Sequence, residues 1–138
     1  MEHRDSPPIT ISSTDVQRLE ALLESAQYRD QPGAPALQKE LERAHVVTPQ
    51  QLPNDVVSMN SIAECVEEGS GRAHELTLVY PRNADAAQGR VSVLAPVGTA
   101  LLGLKIGQSI DWPAPAGTLR LRVTAIRYQP EAAGEYYR

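Results

Sequence analysis

One stretch of the chain, residues 91–107, constrains the fold more than any other because it combines a strand pattern, a helix start and turn glycines. Three apolar residues recur with a period of two over residues 91–95, which predicts a strand. Pro96 suits the first turn of a helix, where a backbone N–H is not needed. Gly103 can adopt the left-handed conformation that ends a helix, and Gly107 permits a tight turn. The stretch therefore predicts a strand, a short helix and a second strand in close succession.

Two amphipathic segments near the start of the chain predict a pair of short helices. Hydroxyl residues at 12–14 can cap the first helix, and the prolines and glycine of residues 28–35 separate it from a second helix that starts around Pro35. Arms of roughly 20 Å, at about 1.5 Å per residue, form an antiparallel helical hairpin. The tip of this hairpin consists of Tyr28, Arg29 and Asp30. The apolar stripes consist of Val16, Leu19, Leu22 and Leu23 in the first helix and Leu37, Leu41 and Ala44 in the second.

Strand-like patterns dominate the rest of the chain. No long crossover helix separates them, which indicates an antiparallel sheet. Two prolines within residues 48–53 mark a boundary between units. We therefore predict an α+β protein with a short N-terminal antiparallel helical hairpin, residues 1–52, and an antiparallel sheet with one short helix, residues 53–138. Besides the stretch described above, the strand segments are residues 56–66, 73–80 and 119–128.

The composition limits the class of protein. A formal net charge of −4 over 138 residues argues against direct binding to nucleic-acid phosphates, so any link to DNA is expected to be indirect. Cys65 is the single cysteine, which excludes an intrachain disulfide and is typical of a reducing compartment. No apolar run has the length of a signal peptide or a membrane span. We therefore expect a cytoplasmic protein without a membrane partner.

The chain has no residue pattern that indicates catalysis or a bound cofactor or metal. His3, His45 and His74 lie in different segments, without a partner at metal-ligand spacing. Residues 98–105 contain two glycines and a lysine, as a phosphate-binding loop does. The lysine does not follow the second glycine directly, however, and no Ser or Thr follows the lysine. The sequence therefore predicts no catalytic, cofactor-binding or metal-ligating residue.

Several segments resemble a known family. Residues 95–103 read Ala-Pro-Val-Gly-Thr-Ala-Leu-Leu-Gly and residues 106–110 read Ile-Gly-Gln-Ser-Ile, which resembles the signature of the C-terminal domain of Gre transcript-cleavage factors. Asn-Asp-Val-Val-Ser-Met-Asn-Ser at 54–61, Leu-Val-Tyr-Pro at 78–81 and Tyr-Gln-Pro-Glu-Ala-Ala-Gly at 128–134 resemble, more narrowly, the bacterial regulators of nucleoside diphosphate kinase, the Rnk family. The resemblance implies an FKBP-like sheet.

The same resemblance implies RNA polymerase as the partner. It implies that the C-terminal unit docks at the rim of the polymerase secondary channel, with the hairpin pointing into or over the entrance. In Gre domains the contact includes an acidic-Ser-Pro segment, which corresponds here to Leu94, Ala95 and Pro96. Only Pro96 matches that pattern, and Leu94 and Ala95 could instead simply finish a buried strand. A chain of this kind would compete with Gre-type factors and regulate the nucleoside diphosphate kinase level indirectly, without being an enzyme.

Two enzymatic alternatives stay open from the sequence. Gre factors hold a magnesium ion with an acidic pair at the tip of a long hairpin, whereas Asp30 is the single acid in this tip loop. An FKBP-like sheet also implies prolyl isomerase activity, but isomerase pockets of that fold are lined by several aromatic residues and this chain has no Phe. A transcript-cleavage stimulator and a prolyl isomerase are therefore the alternatives to a non-enzymatic regulator.

Overall fold

The α+β class is confirmed by the computed structural model, which describes residues 8–114 and 117–136. Within those residues the helices are α1 (Ser13–Glu24), α2 (Ala34–Arg43) and α3 (Pro96–Leu101). The strands are β1 (Thr10–Ser12), β2 (His45–Val47), β3 (Ile62–Glu67), β4 (Ala73–Val79), β5 (Arg90–Ser92), β6 (Ser109–Ala114) and β7 (Gly117–Tyr128).

Five strands form the main sheet, in the order β5-β4-β3-β7-β6. β3 pairs antiparallel with β4 and with β7, and β6 pairs antiparallel with β7. The prediction of a wholly antiparallel sheet is wrong at one edge, because β5 runs parallel to β4. Residues 80–89, which contain two short 3-10 turns, connect the two strands. The FKBP-like description of the sheet stays a prediction.

The first helix starts where the hydroxyl residues predicted it. Ser12 precedes α1 with an extended backbone, and its Oγ accepts a hydrogen bond from the backbone N–H of Asp15 at 3.1 Å. Leu19 is buried, with Val16 and Leu23 packed against the core, whereas Leu22 is only half-buried and lies outside that cluster. The predicted apolar stripe of α1 is therefore confirmed for Val16, Leu19 and Leu23 and is wrong at Leu22.

The second helix starts at Ala34, with Pro35 in its first turn, as predicted. Leu37 and Leu41 are buried, and Ala44 packs against the same core. α1 and α2 contact each other, and their antiparallel arrangement stays a prediction.

The two strands that flank the helical segment in sequence pair in a small parallel sheet, which the sequence did not predict. β1 precedes α1 and β2 follows α2, with Thr10 opposite His45 and Ser12 opposite Val47. The backbone N–H of Thr10 also donates to the carbonyl of Gly103 at 3.3 Å. β1 is therefore attached both to β2, which follows α2, and to the turn after α3.

One hydrophobic cluster joins the helical segment to the sheet. Its members come from both sides of residue 52, so the helices do not have a core separate from that of the sheet. Short helices are marginal in isolation, and burial against the sheet supplies the stability that they lack. The division into units at residue 52 stays a prediction. Representative members of the cluster are Ile11, Leu19 and Leu37 on one side and Met59, Leu78, Leu101 and Leu121 on the other.

Residues 91–107 fold as a strand, a helix and a turn into β6, which confirms the order predicted for them. The strand is shorter than predicted, because β5 ends at Ser92. Gly103 has a φ of 77° and Gly107 a φ of 97°, the left-handed values expected at a helix end and a tight turn. The buried face of α3 contains Val97 and Leu101, and Leu104 follows it in the core.

Candidate functional site

The predicted contact segment, Leu94 to Pro96, forms a hydrogen-bonded turn between β5 and α3. The backbone N–H of Leu94 donates to Ser92 Oγ at 3.0 Å, and that of Ala95 donates to the Ser92 carbonyl at 3.0 Å. The interpretation that Leu94 and Ala95 finish a strand is therefore wrong, because Ser92 ends the strand and turns the chain. Pro96 takes the first position of α3 and is exposed, while Leu94 and Ala95 are half-buried.

Two residues of α3 hold this turn against β5. Thr99 Oγ1 donates to the carbonyl of Val93 at 2.6 Å. A Cβ added at Gly98 would lie 1.9 Å from the carbonyl oxygen of Ser92, so only glycine allows α3 to approach the backbone this closely. The contacts of Gly98 and Thr99 thus hold α3 in the position that leaves Pro96 exposed to solvent.

The tip loop, residues 25–33, exposes one carboxylate. Ser25 Oγ donates to the carbonyl of Leu22 at 2.7 Å and accepts from the N–H of Tyr28 at 3.3 Å. Arg29 Nε lies 3.8 Å from Asp30 Oδ2, and both side chains are exposed. In residues 8–114 and 117–136 there is no group of three or more His, Cys, Asp or Glu side chains that could hold a metal ion.

The end of the tip loop packs against the predicted contact segment. A Cβ added at Gly33 would lie 1.9 Å from the carbonyl oxygen of Leu94, so loop and turn touch backbone to backbone. Tyr28 lies elsewhere, in a cleft beside Asn60 and Tyr80. The structure therefore brings Leu94 and the end of the tip loop together but separates Tyr28 from them.

A groove of about 590 Å³ lies between α2 and α3, and we call it the α2–α3 groove. The Glu40 carboxylate at its rim accepts from Arg43 Nη2 at 2.8 Å, and Asp111 accepts from Arg120 Nη1 at 2.9 Å. Because both rim carboxylates are paired, the groove offers an apolar surface with a neutral border. Its apolar lining consists of Pro32, Ala36, Leu94, Pro96, Ala100, Leu104 and Ile110.

A buried carboxyl group connects α1 to the sheet. Asp15 is 3% exposed, and its Oδ2 accepts the backbone N–H of Met59 at 3.1 Å. Met59 belongs to a turn at residues 58–61, in which Asn60 has a φ of 68°, a value that Asn tolerates better than most residues. Glu131 accepts from Ser58 Oγ at 2.6 Å in the same region. The segment 54–61 is thus tied to both α1 and the C-terminal turn.

The surroundings of Asp15 favour its neutral form. The pKa of this carboxyl is raised from 3.8 to about 7, chiefly by burial and also by the nearby Glu131, although the hydrogen bond from Met59 and the Arg18 guanidinium act in the opposite direction. No sequence motif predicted this contact, because Asp15 and Met59 are 44 positions apart. The only available signal was an acidic residue in the first turn of an amphipathic helix.

The single cysteine and the histidines considered in the sequence analysis lie in different parts of the fold. Cys65 is buried, and burial raises the pKa of its thiol to about 11, which keeps it protonated at neutral pH. His74 Nε2 lies 2.6 Å from Glu67 Oε2, and hydrogen bonds from His74 and Ser70 hold the pKa of the Glu67 carboxyl below its usual value. His45 is exposed on β2, and His3 lies outside the described residues.

Two family models match the chain, one on each side of residue 52. The model described as "Rnk N-terminus" matches residues 7–47, and the model described as "Transcription elongation factor, GreA/GreB, C-term" matches residues 52–128. The regulator of nucleoside diphosphate kinase from Escherichia coli (strain K12) is 44% identical over 131 residues, which cover 94% of this chain and 96% of that protein. The chain belongs to the Rnk family of Gre-related proteins.

Several proteins named as Gre factors are also similar to this Rnk-family chain. Transcription elongation factor GreA of Rhodospirillum rubrum is 36% identical over 94 residues, which cover 65% of this chain and 60% of GreA. A solved GreA/GreB-type factor from Nitrosomonas europaea is 47% identical with a TM-score of 0.76, covering 88% of this chain and 99% of that chain. GreA factor homolog 1 of Thermus thermophilus shares the fold alone, at 21% identity and a TM-score of 0.51.

The α2–α3 groove lies between the parts of the chain that match the two family models. Its α2 wall, including Pro32 and Ala36, lies in the part that matches the Rnk N-terminus, whereas Leu94 and Pro96 lie in the GreA/GreB part. The resemblance in sequence pointed to the second wall only. The first wall was missed because a contact between residues 33 and 94 leaves no periodic pattern, although Gly33 before α2 permitted such an approach.

The relatives are named as regulators and transcription factors. Across the described part of the chain, the helices are too short or too polar to cross a bilayer.

Proposed function

We propose that this Rnk-family chain is a non-enzymatic transcription regulator that binds RNA polymerase near its secondary channel. It competes there with Gre-type factors and changes the nucleoside diphosphate kinase level indirectly, through transcription. Its contact with DNA is indirect, through polymerase, which accords with the net charge of −4.

The observation that carries this proposal is the α2–α3 groove, which places Leu94 and Pro96 beside the base of the tip loop. Protein interfaces depend on a few well-packed apolar anchors surrounded by polar groups. The groove has that composition, and its rim charges are already paired within the chain. A partner can therefore bury the groove without leaving an unpaired carboxylate beneath it.

Competition requires occupation of a shared site and no chemistry. Two proteins that bind one site exclude each other according to their concentrations and affinities. The tip loop offers the exposed Asp30 and no adjacent acid, so a two-carboxylate clamp for magnesium is not built there. This supports a regulator over a transcript-cleavage stimulator.

Pro96→Arg is expected to weaken binding to core RNA polymerase at least about tenfold, because a large charged side chain would replace an exposed apolar anchor of the groove. The fold should persist, since Pro96 is exposed and the first position of a helix accepts most residues. The measurement is the affinity of each purified variant for core polymerase, with and without a Gre factor.

Ala87→Arg is the matched control, since Ala87 is exposed on a 3-10 turn and is not part of the groove. It introduces the same charge and should keep the affinity of the parent chain. Simultaneous binding of this chain and a Gre factor to one polymerase would refute the shared site. Equal affinity of Pro96→Arg and the parent would place the contact elsewhere.

The chain is expected to suppress Gre-stimulated transcript cleavage in backtracked polymerase complexes and to stimulate none itself. The physical reason is that steric occupation needs no carboxylate pair, whereas the metal-assisted reaction does. The measurement compares RNA lengths from complexes incubated with this chain, with a Gre factor and with both. Excess Gre factor should restore cleavage.

Cleavage by the chain alone, lost in Asp30→Asn, would instead support the alternative of a Gre-like cleavage stimulator. The other alternative, an FKBP-like prolyl isomerase, would be supported by accelerated cis/trans exchange of an X-Pro test peptide. A cytoplasmic location is part of the proposal, because RNA polymerase is the partner.

A further inference from the structure

A second cleft, of about 670 Å³, lies between α1, the tip loop and the segment that follows β4, and we call it the α1–β4 cleft. Tyr28, from the first half of the tip loop, lines this cleft, whereas Pro32 and Gly33, from its end, line the α2–α3 groove. The tip loop therefore belongs to the walls of both. A partner that fills the α2–α3 groove lies one loop away from the α1–β4 cleft.

One face of α1 runs along the α1–β4 cleft. Ala21 and Leu22 follow Arg18 by three and four residues, which is the spacing of one helix face, and Ser25 continues the line just after the helix. This face is roughly 10 Å long, at about 1.5 Å per residue. Leu22 was predicted to lie in the core, but it is half-buried outside the core cluster and lines the cleft instead. The apolar stripe of α1 therefore continues from the core onto the wall of the cleft.

The lining of the cleft has the composition of a protein interface. Leu22, Tyr28 and Pro81 are half-buried, so each leaves apolar surface uncovered. Where proteins bind one another, Tyr and Arg are enriched and Lys, Asp and Glu are depleted. The described lining of the cleft includes two tyrosines and two arginines and has no Lys, Asp or Glu. A partner can therefore cover this surface without leaving a lining carboxylate unpaired.

The cleft is positively charged on an acidic chain. The sequence has 17 Asp and Glu residues against 13 Lys and Arg residues, yet both charged residues of the described lining are arginines. Arg18 lies near the buried carboxyl of Asp15, which balances part of its charge from inside the protein. Arg82 is exposed, and its side chain makes no hydrogen bond or ion pair with the described residues. The complementary surface of a partner is therefore acidic.

We propose that the α1–β4 cleft binds an acidic segment of RNA polymerase, in which an apolar side chain packs against Leu22 and Tyr28 and a carboxylate pairs with Arg82. The inference rests on the proposed function, which supplies polymerase as the partner. Because the tip loop belongs to both walls, one polymerase can occupy the α2–α3 groove and the cleft together. Once the first contact is made, the second forms within the same complex and needs little affinity of its own. The chain is then held at both ends of its tip loop.

The test is the affinity of Arg82→Glu and Leu22→Gln for core RNA polymerase, measured at low and at high salt. Arg82→Glu should weaken binding about tenfold at low salt and about threefold or less at high salt, because ions screen an exposed charge pair. Leu22→Gln should weaken binding about fivefold at both salt concentrations, since it removes an apolar contact. Leu22 lies outside the core cluster and Gln is a good helix former, so α1 should persist.

Two control variants carry the same changes elsewhere. Arg72→Glu reverses an exposed charge at the opposite end of β4, and Val46→Gln replaces an exposed apolar residue of β2. Neither residue lines the cleft or the α2–α3 groove. Both variants should therefore keep the affinity of the parent chain within about twofold. Losses in the controls equal to those in the cleft variants would overturn the assignment to the cleft.

Pro96→Arg, measured beside the cleft variants, separates this inference from the proposed function. If the parent chain does not bind polymerase, both fail. If Pro96→Arg weakens binding while Arg82→Glu and Leu22→Gln keep the parent affinity, the groove contact stands and the cleft contact is refuted. A loss in only one of the two cleft variants would contradict the combined recognition of an apolar and an acidic group.

Cross-linking identifies the polymerase segment directly. A photoreactive side chain in place of Ala21, which is exposed in the cleft, should cross-link to a segment of polymerase that contains Asp or Glu. The same side chain in place of Ala87, outside the cleft, should give no cross-link to that segment. A cross-link from position 21 to a segment without acidic residues, or none from a chain that binds polymerase, would overturn the proposal.

Discussion

Asp15→Asn is expected to raise the free energy of unfolding by about 2–4 kcal/mol at pH 8 and to change it little at pH 4. The carboxyl of Asp15 is buried between α1, the 58–61 turn and Glu131, and its pKa is raised from 3.8 to about 7. Asparagine is uncharged at every pH and keeps an oxygen that can accept the N–H of Met59. The substitution therefore removes the ionisation and keeps the hydrogen bond.

The sign of this effect follows from the two pKa values of Asp15. Below pH 3.8 the carboxyl is protonated in both the folded and the unfolded chain, so it does not alter stability. Between pH 3.8 and about 7 the unfolded chain loses the proton more readily, and the parent chain is progressively destabilised. This interval of roughly 3 pH units, at about 1.4 kcal/mol per unit, sets an upper limit of about 4 kcal/mol. Above pH 7 the difference stays constant.

The measurement is urea unfolding of the parent and of Asp15→Asn at pH 4 and pH 8. Taking the difference at each pH cancels the titration of other groups that the two chains share. Asp30→Asn is the control, since Asp30 is exposed on the tip loop and should have little effect at either pH. A loss of stability in Asp15→Asn at pH 8 would mean that the ionised carboxylate is favourable in the fold.

Gly98→Ala is expected to lower the free energy of unfolding by at least about 3 kcal/mol, although alanine is the better helix former by about 1 kcal/mol. The added Cβ would lie 1.9 Å from the carbonyl oxygen of Ser92 and 2.7 Å from its carbon. Both are backbone atoms, so no side-chain rotation relieves the overlap. Either α3 moves away from β5, or the bond from Thr99 Oγ1 to the Val93 carbonyl is broken.

Thermal unfolding measures this loss, which should lower Tm by roughly 6 °C or more for a chain of this size. Gly69→Ala is the control, because Gly69 does not have a positive φ and an added Cβ meets no atom within 4 Å. Its stability should stay within about 0.5 kcal/mol of the parent. A folded and equally stable Gly98→Ala would show that the Ser92–Gly98 contact is looser than described.

The parts of the fold that local patterns determine could be predicted from the sequence. Pro96, Gly103 and Gly107 each restrict the backbone at their own position, and the turn, helix and turn around them were found where predicted. The start of α1 at Ser12 and of α2 near Pro35 followed for the same reason. Capping and proline geometry act within a few residues, so they can be read without knowledge of the rest of the chain.

Pairing across long distances could not be predicted in this way. Alternation shows that a segment is extended but not the direction of its neighbour, so the parallel pairing of β5 with β4 was missed. β1 and β2 each have three residues, too few to show a period. The same limit applied to the site: Leu94 and Pro96 were predicted from a resemblance, whereas Gly33, which approaches Leu94, was not.

The pairing of β1 with β2 brings the two ends of the helical segment together. Thr10–Ser12 and His45–Val47 lie side by side, so the segment leaves the body of the protein and returns to it at one place. Matching insertions of whole turns in α1 and α2, about 5.4 Å each, would extend the loop and leave the sheet register unchanged. Such an extension would also carry Gly33 away from Leu94 and open one wall of the α2–α3 groove. Longer helices would therefore extend the tip loop further from the sheet but would open the α2–α3 groove. The short helices of this chain keep the groove closed.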